Sequence, residues 1–270
     1  MALATRGADD QAPDSPDSRD DGEVPALVFC TVCGRTDCAG CLDLPGPVAL
    51  GSTPWETKGT PLFKRLWQTA RLTTVEGEAF FGGLTDGSIG AALGFAFVCE
   101  LVAILSFAFM WGPLAYAFVP GFVASILRDP AERQLVLLAT LAAVPLLSVL
   151  MVVLHVSWGV GLEIGLRAAG AEGRATHSLR YALYACGWDL VTSPFGFGAG
   201  CVTGGFSGAK MELGAAVRIP RLATRAYLGR ARKAGEGTVR RALVVAVAIT
   251  GTIVVGGAIA LGIAVVAAML

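Results

Sequence analysis

Three stretches of this chain are too long and too apolar for a domain that folds in water. Residues 89–111, 134–165 and 242–270 are hydrophobic on every face and carry few charges. Each exceeds the roughly 20 residues that a helix needs to cross about 30 Å of hydrocarbon. Lipid offers no water to satisfy a peptide group, so such stretches cross it as helices with internal backbone hydrogen bonds. The overall balance agrees, with 54% hydrophobic and 16% charged residues, the proportions of a polytopic membrane protein.

Between the second and third of these stretches lies a segment with a different signature. Residues 176–192 form a third apolar span that ends at Ser193-Pro194, where proline removes a donor and pushes its neighbour out of helix. Residues 195–217 form a fourth, with Gly196, Gly200, Gly204 and Gly208 at every fourth position. In water each interior glycine costs a helix about 1 kcal/mol against alanine, whereas in lipid such a face lets two backbones approach closely. The expected fold is therefore an all-α integral membrane protein, a five-helix bundle over residues 85–270. Spans lie at 89–111, 134–165, 176–192, 195–217 and 242–270, and the glycine face is the expected packing seam.

Ahead of the bundle the chain changes character several times. Residues 1–24 are rich in Asp, Ser and Pro, lack the apolar core of a secretory signal and read as a disordered acidic tail. Residues 25–46 carry Cys30, Cys33, Cys38 and Cys41, two Cys-x-x-Cys pairs within one small loop. Four thiolates suit tetrahedral zinc, and a site with four protein ligands is structural rather than catalytic. Two disulfides in an exported segment, or iron–sulfur ligation, are the alternatives. Residues 47–61 are a linker. Residues 62–84 begin with an amphipathic helix that places Phe63, Trp67 and Ala70 on one face and Lys64 and Arg71 largely opposite. It suits a lipid interface or a place packed under the bundle equally well.

The formal net charge is zero, but the cations are unevenly placed. Lys64, Arg65 and Arg71 precede the first span, and Arg167, Arg174 and Arg180 lie between the second and third. Arg218, Arg221, Arg225, Arg230, Arg232, Lys233, Arg240 and Arg241 lie between the fourth and fifth. With an odd number of spans all three groups fall on one side, the cytoplasm. The N-terminus and the cysteine loop are then cytoplasmic, in a reducing compartment that favours metal over disulfide, and the C-terminus is outside. A bacterial inner membrane is the expected location.

The membrane half resembles the Yip family of five-span proteins, whose N-termini are cytoplasmic. The residues that carry the resemblance are Phe80-Phe81-Gly82-Gly83-Leu84, then His155 followed by a short loop and Leu179-Arg180-Tyr181-Ala182, and the Ser193-Pro194-Phe195-Gly196 turn into a glycine-rich span. The cysteine loop followed by Pro54-Trp55-Glu56 resembles the N-terminal extension of bacterial members. The resemblance implies a five-span architecture, and in eukaryotic members an association with Rab-type GTPases that does not transfer here. Asp189 departs from the family, as does the basic loop after the fourth span.

No catalytic constellation is visible. The chain has two histidines, without a Ser/His/Asp arrangement or a His-Glu-x-x-His motif, and a non-enzyme is expected. Glu100, His155 and Asp189 are the ionisable residues at membrane depth, where a charge costs several kcal/mol unless paired or neutralised. Counted along their spans, they fall at different depths: Glu100 in the middle, His155 in the cytoplasmic half and Asp189 near the outer end. Interhelical hydrogen bonding is therefore favoured over a relay. Cys99, Cys186 and Cys201 read as small buried hydrophobes. Arg218, Arg221, Arg225, Arg230, Arg232 and Lys233 suit anionic lipid headgroups. Nucleic acid is not expected, because Tyr227 is too little as an aromatic platform.

The leading expectation is a membrane-embedded adaptor or organiser. Its zinc-bearing loop would dock a cytoplasmic protein while the bundle contacts membrane lipids, and an oligomer is compatible with that role. One alternative is a small-solute or ion transporter using Glu100, His155 and Asp189. The other is a metal- or redox-sensing membrane protein.

Overall fold

The computed structural model describes residues 53–171 and 175–269. The acidic tail, the four cysteines Cys30, Cys33, Cys38 and Cys41 with their expected zinc, and Arg174 lie outside the described residues. Among those described the chain is helical without strands. A 3-10 turn at Pro54–Glu56 leads to α1 (Leu62–Val75), α2 (Gly77–Gly82), α3 (Ile89–Phe118), α4 (Pro120–Arg128) and α5 (Pro130–Ala168). After them come α6 (Ala175–Ala185), α7 (Gly187–Thr192), α8 (Pro194–Ala226), a π-helical turn at Tyr227–Ala231 and α9 (Glu236–Met269).

Local chemistry explains where the helices start and stop. The Ser88 side chain accepts from the Ala91 amide to open α3, and Asp129 accepts from Ala131 with Pro130 in the first turn of α5. Ser193 does the same for α8, accepting from the Gly196 amide beside Pro194. Each is an N-cap that satisfies an amide with no partner inside its helix, and proline in the first turn gives up a donor that would have none. At the other end of α5, Gly170 has φ +76° and the Ala171 amide reaches back to the Leu166 carbonyl. That left-handed C-terminal turn favours glycine.

Among the described residues three helices are long and apolar enough to cross a membrane: Ile89–Phe118, Pro130–Ala168 and, within α9, Glu236–Ala260. Their ends at 89, 168 and 236 gather at one end of the bundle. Glu163 near the end of α5 pairs with Arg232 just before α9 at 3.0 Å. His177 and Arg180 of α6 reach the carbonyls of Leu84 and Thr85, just before α3. The third and fourth expected spans look different. Residues 176–192 are broken at Cys186 into α6 and α7. Residues 195–217 belong to a longer helix that runs on to Ala226 and carries a non-helical break at Gly205, φ 67° and ψ 178°. That backbone conformation is essentially restricted to glycine. Much of the expected basic loop is thereby helical.

Gly204 and Gly208, on the expected glycine face, do not form a close seam. A Cβ on Gly204 or Gly208 would meet nothing within 4 Å. One on Gly196 would strike the Val191 and Leu190 carbonyls, so that glycine serves the tight turn. The close approach is between α5 and α9. A Cβ on Gly161 would lie 2.6 Å from the Ala246 α-carbon, and one on Gly165 2.5 Å from that of Ala242. Glycine four residues from glycine on α5 thus meets alanine four residues from alanine on α9. On the other flank a Cβ on Gly159 would lie 2.8 Å from the Ser178 carbonyl oxygen of α6.

The helix α1 is packed on the bundle. Leu66, Thr69, Ala70, Thr73 and Thr74 are buried, and the Trp188 indole N–H donates to the Thr73 carbonyl at 2.5 Å. Phe63 and Trp67 meet the Phe195 ring edge-on at 6.2 and 6.0 Å. Leu62 and Phe63 at its start remain exposed.

Candidate functional site: a buried ionisable cluster

Glu100, His155 and Asp189, which the sequence reading spread over three depths, converge. His155 Nε2 lies 2.7 Å from Asp189 Oδ2 and 3.6 Å from Glu100 Oε1. Rise along the helices accounts for the meeting. Counted from the end where the helices gather, Glu100 is about 16 Å along α3, His155 about 20 Å back along α5 and Asp189 about 21 Å along α6 and α7. Alternation over five spans puts the turn at residues 193–194 on the outer side, and Asp189 close to it. Distance from the shared end was the usable signal.

The break at Cys186 and Gly187 completes the cluster. Gly187 sits where a Cβ would lie 3.1 Å from the Ala70 α-carbon, so α1 presses against this junction. The Cys186 sulfur, a Glu100 oxygen and a His155 nitrogen all lie within 4.8 Å of one another. Cys186 therefore belongs to this polar group rather than being a plain buried hydrophobe. Exposure is graded across the group. Glu100 and Cys186 are fully buried, the His155 side chain is 17% exposed and that of Asp189 36%. Glu100 Oε1 receives no hydrogen bond among the described residues, although the Glu100 carboxyl lies within hydrogen-bond reach of Asp189 and Cys186. A buried polar atom without a partner costs about 1–3 kcal/mol and calls for an explanation.

Two further polar networks were missed in the sequence. At the end where the helices gather, Glu163 accepts from Ser178 at 2.9 Å and from Arg232 and Arg167 at 3.0 Å each. The Arg232 guanidinium also reaches the Tyr227 hydroxyl at 3.2 Å. Burial pushes the Tyr227 hydroxyl above its ordinary pKa, against the opposite influence of Ser178 and Arg232, and keeps it a neutral donor. Arg232 is thus a buried cation paired within the bundle, unlike the exposed cations around it. Its charge is matched by Glu163, which a phosphate would have to displace. Arg218, Arg221, Arg225 and Lys233 are exposed. Arg230 is exposed as well and pairs with Glu78 at 3.1 Å.

The second network ties the segment before α1 into the bundle. The Trp55 indole donates to the Ala91 carbonyl at 2.7 Å. Glu56 accepts from Arg180 at 2.6 Å and from the Tyr184 hydroxyl at 2.7 Å. The Thr53 hydroxyl lies 3.1 Å from the same tyrosine oxygen. The wholly buried Arg180 also donates to the Thr85 carbonyl and lies 5.5 Å over the Tyr184 ring. Pro54-Trp55-Glu56 is therefore a latch. Its partners are scattered over α3 and α6, which is why spacing in the sequence did not announce it.

These observations define a helical bundle of membrane type, with three membrane-crossing candidates among the described residues and a buried acid–imidazole–thiol cluster between α3, α5 and the α6–α7 junction. No protein-family model, curated protein or solved structure matches the chain.

Proposed function

We propose that this chain is a non-enzymatic, five-span inner-membrane protein of Yip type whose bundle binds a cation at Glu100, His155 and Asp189 while moving an ion or small solute. The convergence of the three groups carries this reading. Ionisable side chains inside a membrane are costly, and a functional site is the default explanation when they meet. Their separation in depth was the argument against a relay, and that separation is absent. In the three-helix and five-helix descriptions alike the count is odd. The segment between α5 and α9 leaves and returns at the same end, and the cation-rich segments stay on one side, read as cytoplasmic.

The test is flux through purified full-length protein reconstituted in vesicles. A proton gradient is imposed and its decay followed with an entrapped pH dye. Glu100→Gln and Asp189→Asn are isosteric and remove ionisation without removing volume. The reading expects protein-dependent decay that both variants abolish while eluting and melting like the parent. Decay unaffected by either variant would defeat it.

A second reading is favoured by the latch. With Pro54–Glu56 fastened to α3 and α6, a cytoplasmic zinc-bearing loop would be coupled directly to the bundle, as an adaptor for a protein partner requires. In-cell crosslinking of the parent against a Cys38→Ser, Cys41→Ser variant tests it. A partner captured equally by both would remove the loop from the account.

A further inference from the structure

We infer that Glu100, His155 and Cys186, with Asp189 as the fourth donor, form a binding site for a single Zn2+-class divalent ion inside the helix bundle. This rests on the reading of the cluster as a cation site and names the cation.

The donor set identifies the class. One imidazole nitrogen, one thiol sulfur and carboxylate oxygens form a mixed, borderline-soft group. Such a set suits zinc and its late-transition neighbours, whereas Ca2+ and Mg2+ take six or more oxygen ligands or retain several waters. Size agrees. Bonds of about 2.0–2.3 Å in a tetrahedron put neighbouring donors about 3.3–3.8 Å apart. His155 Nε2 and Glu100 Oε1 are already 3.6 Å apart. The three donor atoms span no more than 4.8 Å, so closure on an ion needs side-chain adjustments of about an ångström, not helix movement.

Charge and burial point the same way. A divalent ion with one carboxylate, one thiolate and a neutral imidazole sums to zero, the least costly total at membrane depth. Asp189 adds a negative charge, and its side chain is the most exposed of the four. The Glu100 carboxyl is wholly buried, and its Oε1 lies 3.6 Å from the His155 nitrogen. Glu100 stands on α3, His155 on α5 and Asp189 on α7, and Cys186 enters at the break between α6 and α7.

Binding is an exchange of protons for metal. The Cys186 thiol loses its proton to solvent as sulfur bonds the ion. In the ion-free form the imidazole Nε2–H donates to Asp189, 2.7 Å away. When Nε2 bonds the metal, its proton passes to solvent and Nδ1 takes one up, so the imidazole stays neutral. The Asp189 side is the most exposed face of the cluster.

The test uses the full-length chain with Cys30, Cys33, Cys38 and Cys41 changed to serine, so that thiolate signals cannot come from the N-terminal loop. Purified in detergent, it is titrated with Co2+ and read by absorption spectroscopy, then challenged with Zn2+. The expected result is one equivalent of Co2+ with tetrahedral visible bands and a thiolate-to-cobalt charge-transfer band, all displaced by Zn2+. Cys186→Ser removes the charge-transfer band. Glu100→Gln, the isosteric change that keeps the cavity filled, weakens Co2+ affinity by about tenfold or more. No stoichiometric binding to a protein that elutes and melts normally overturns the inference, as does a charge-transfer band that survives Cys186→Ser. The flux assay above contains no metal, so the two failures separate. Glu100-dependent proton flux without Co2+ binding leaves the transport reading standing and removes the metal. Co2+ binding without flux does the reverse.

Discussion

The contact between α5 and α9 allows a prediction whose size can be worked from the structure. Gly161 and Gly165 lie against the backbone of α9. An added Cβ would sit 2.6 Å from the Ala246 α-carbon and 2.5 Å from the Ala242 α-carbon. Carbon atoms in contact prefer about 3.5–4.0 Å, so each site is short by about 1 Å. The obstacle is main chain and cannot swing aside, so α9 must move away. Overpacking of this kind costs about 1–3 kcal/mol per site. Alanine returns up to about 1 kcal/mol through helix propensity, leaving a net loss of about 1–2 kcal/mol each. The two sites share one interface and will not add fully. Gly161→Ala with Gly165→Ala should therefore lower the melting temperature of the purified protein by about 5 °C or more. The matched control is Gly204→Ala with Gly208→Ala, where a Cβ meets nothing within 4 Å. That pair should melt at or above the parent. If the first pair is silent, or the second falls as far, the seam is not where we place it.

The latch and the cations yield two more predictions. Glu56→Ala leaves the buried Arg180 guanidinium without its carboxylate, and breaking a buried pair costs about 3–5 kcal/mol. Its melting temperature should fall sharply, and an unchanged value would mean that the Pro54–Glu56 turn is not fastened to α6. Arg232→Ala should be comparably destabilising because Glu163 loses its partner. Replacing the exposed Arg218, Arg221 and Arg225 by alanine should change stability by about 0.5 kcal/mol or less at each position, while weakening binding of the reconstituted protein to anionic vesicles. Equal stability losses at Arg232 and Arg218 would contradict the division between a structural and a surface cation.

Much of the architecture was legible because lipid leaves a chain few choices. Apolar runs near 89–111, 134–165 and 242–270 correspond to α3, α5 and α9, and Ser193-Pro194 marks the start of α8. Misplaced features have a common cause. Residues 176–192 are apolar enough for a span, yet Gly187 lets α1 press on the chain there, and the segment folds as two short helices. Gly204 and Gly208 have the right spacing for a seam, but spacing says only which residues share a face, not whether a neighbour covers it. Gly161 and Gly165 have the same spacing, inside a stretch already read as a span, and the alanines opposite them decide the matter.

The candidate site divides in the same way. Glu100, His155 and Asp189 stand out in the sequence because ionisable groups in apolar helices are conspicuous wherever they occur. That Asp189 lies level with the other two depends on how far α6 and α7 reach from the end shared with α3 and α5. Cys186 gave no signal, since a buried cysteine looks the same whether it touches leucine or a carboxylate. Arg232, one cation among eight in a basic stretch, looked like a lipid ligand until Glu163 was found 3.0 Å away. Hydrophobicity is a property of each residue and accumulates along the chain, so the sequence alone determined that this protein belongs in a membrane and which residues are out of place there. Contact is a property of pairs that helix lengths and crossings bring together, so only the tertiary structure decided that the misplaced residues meet.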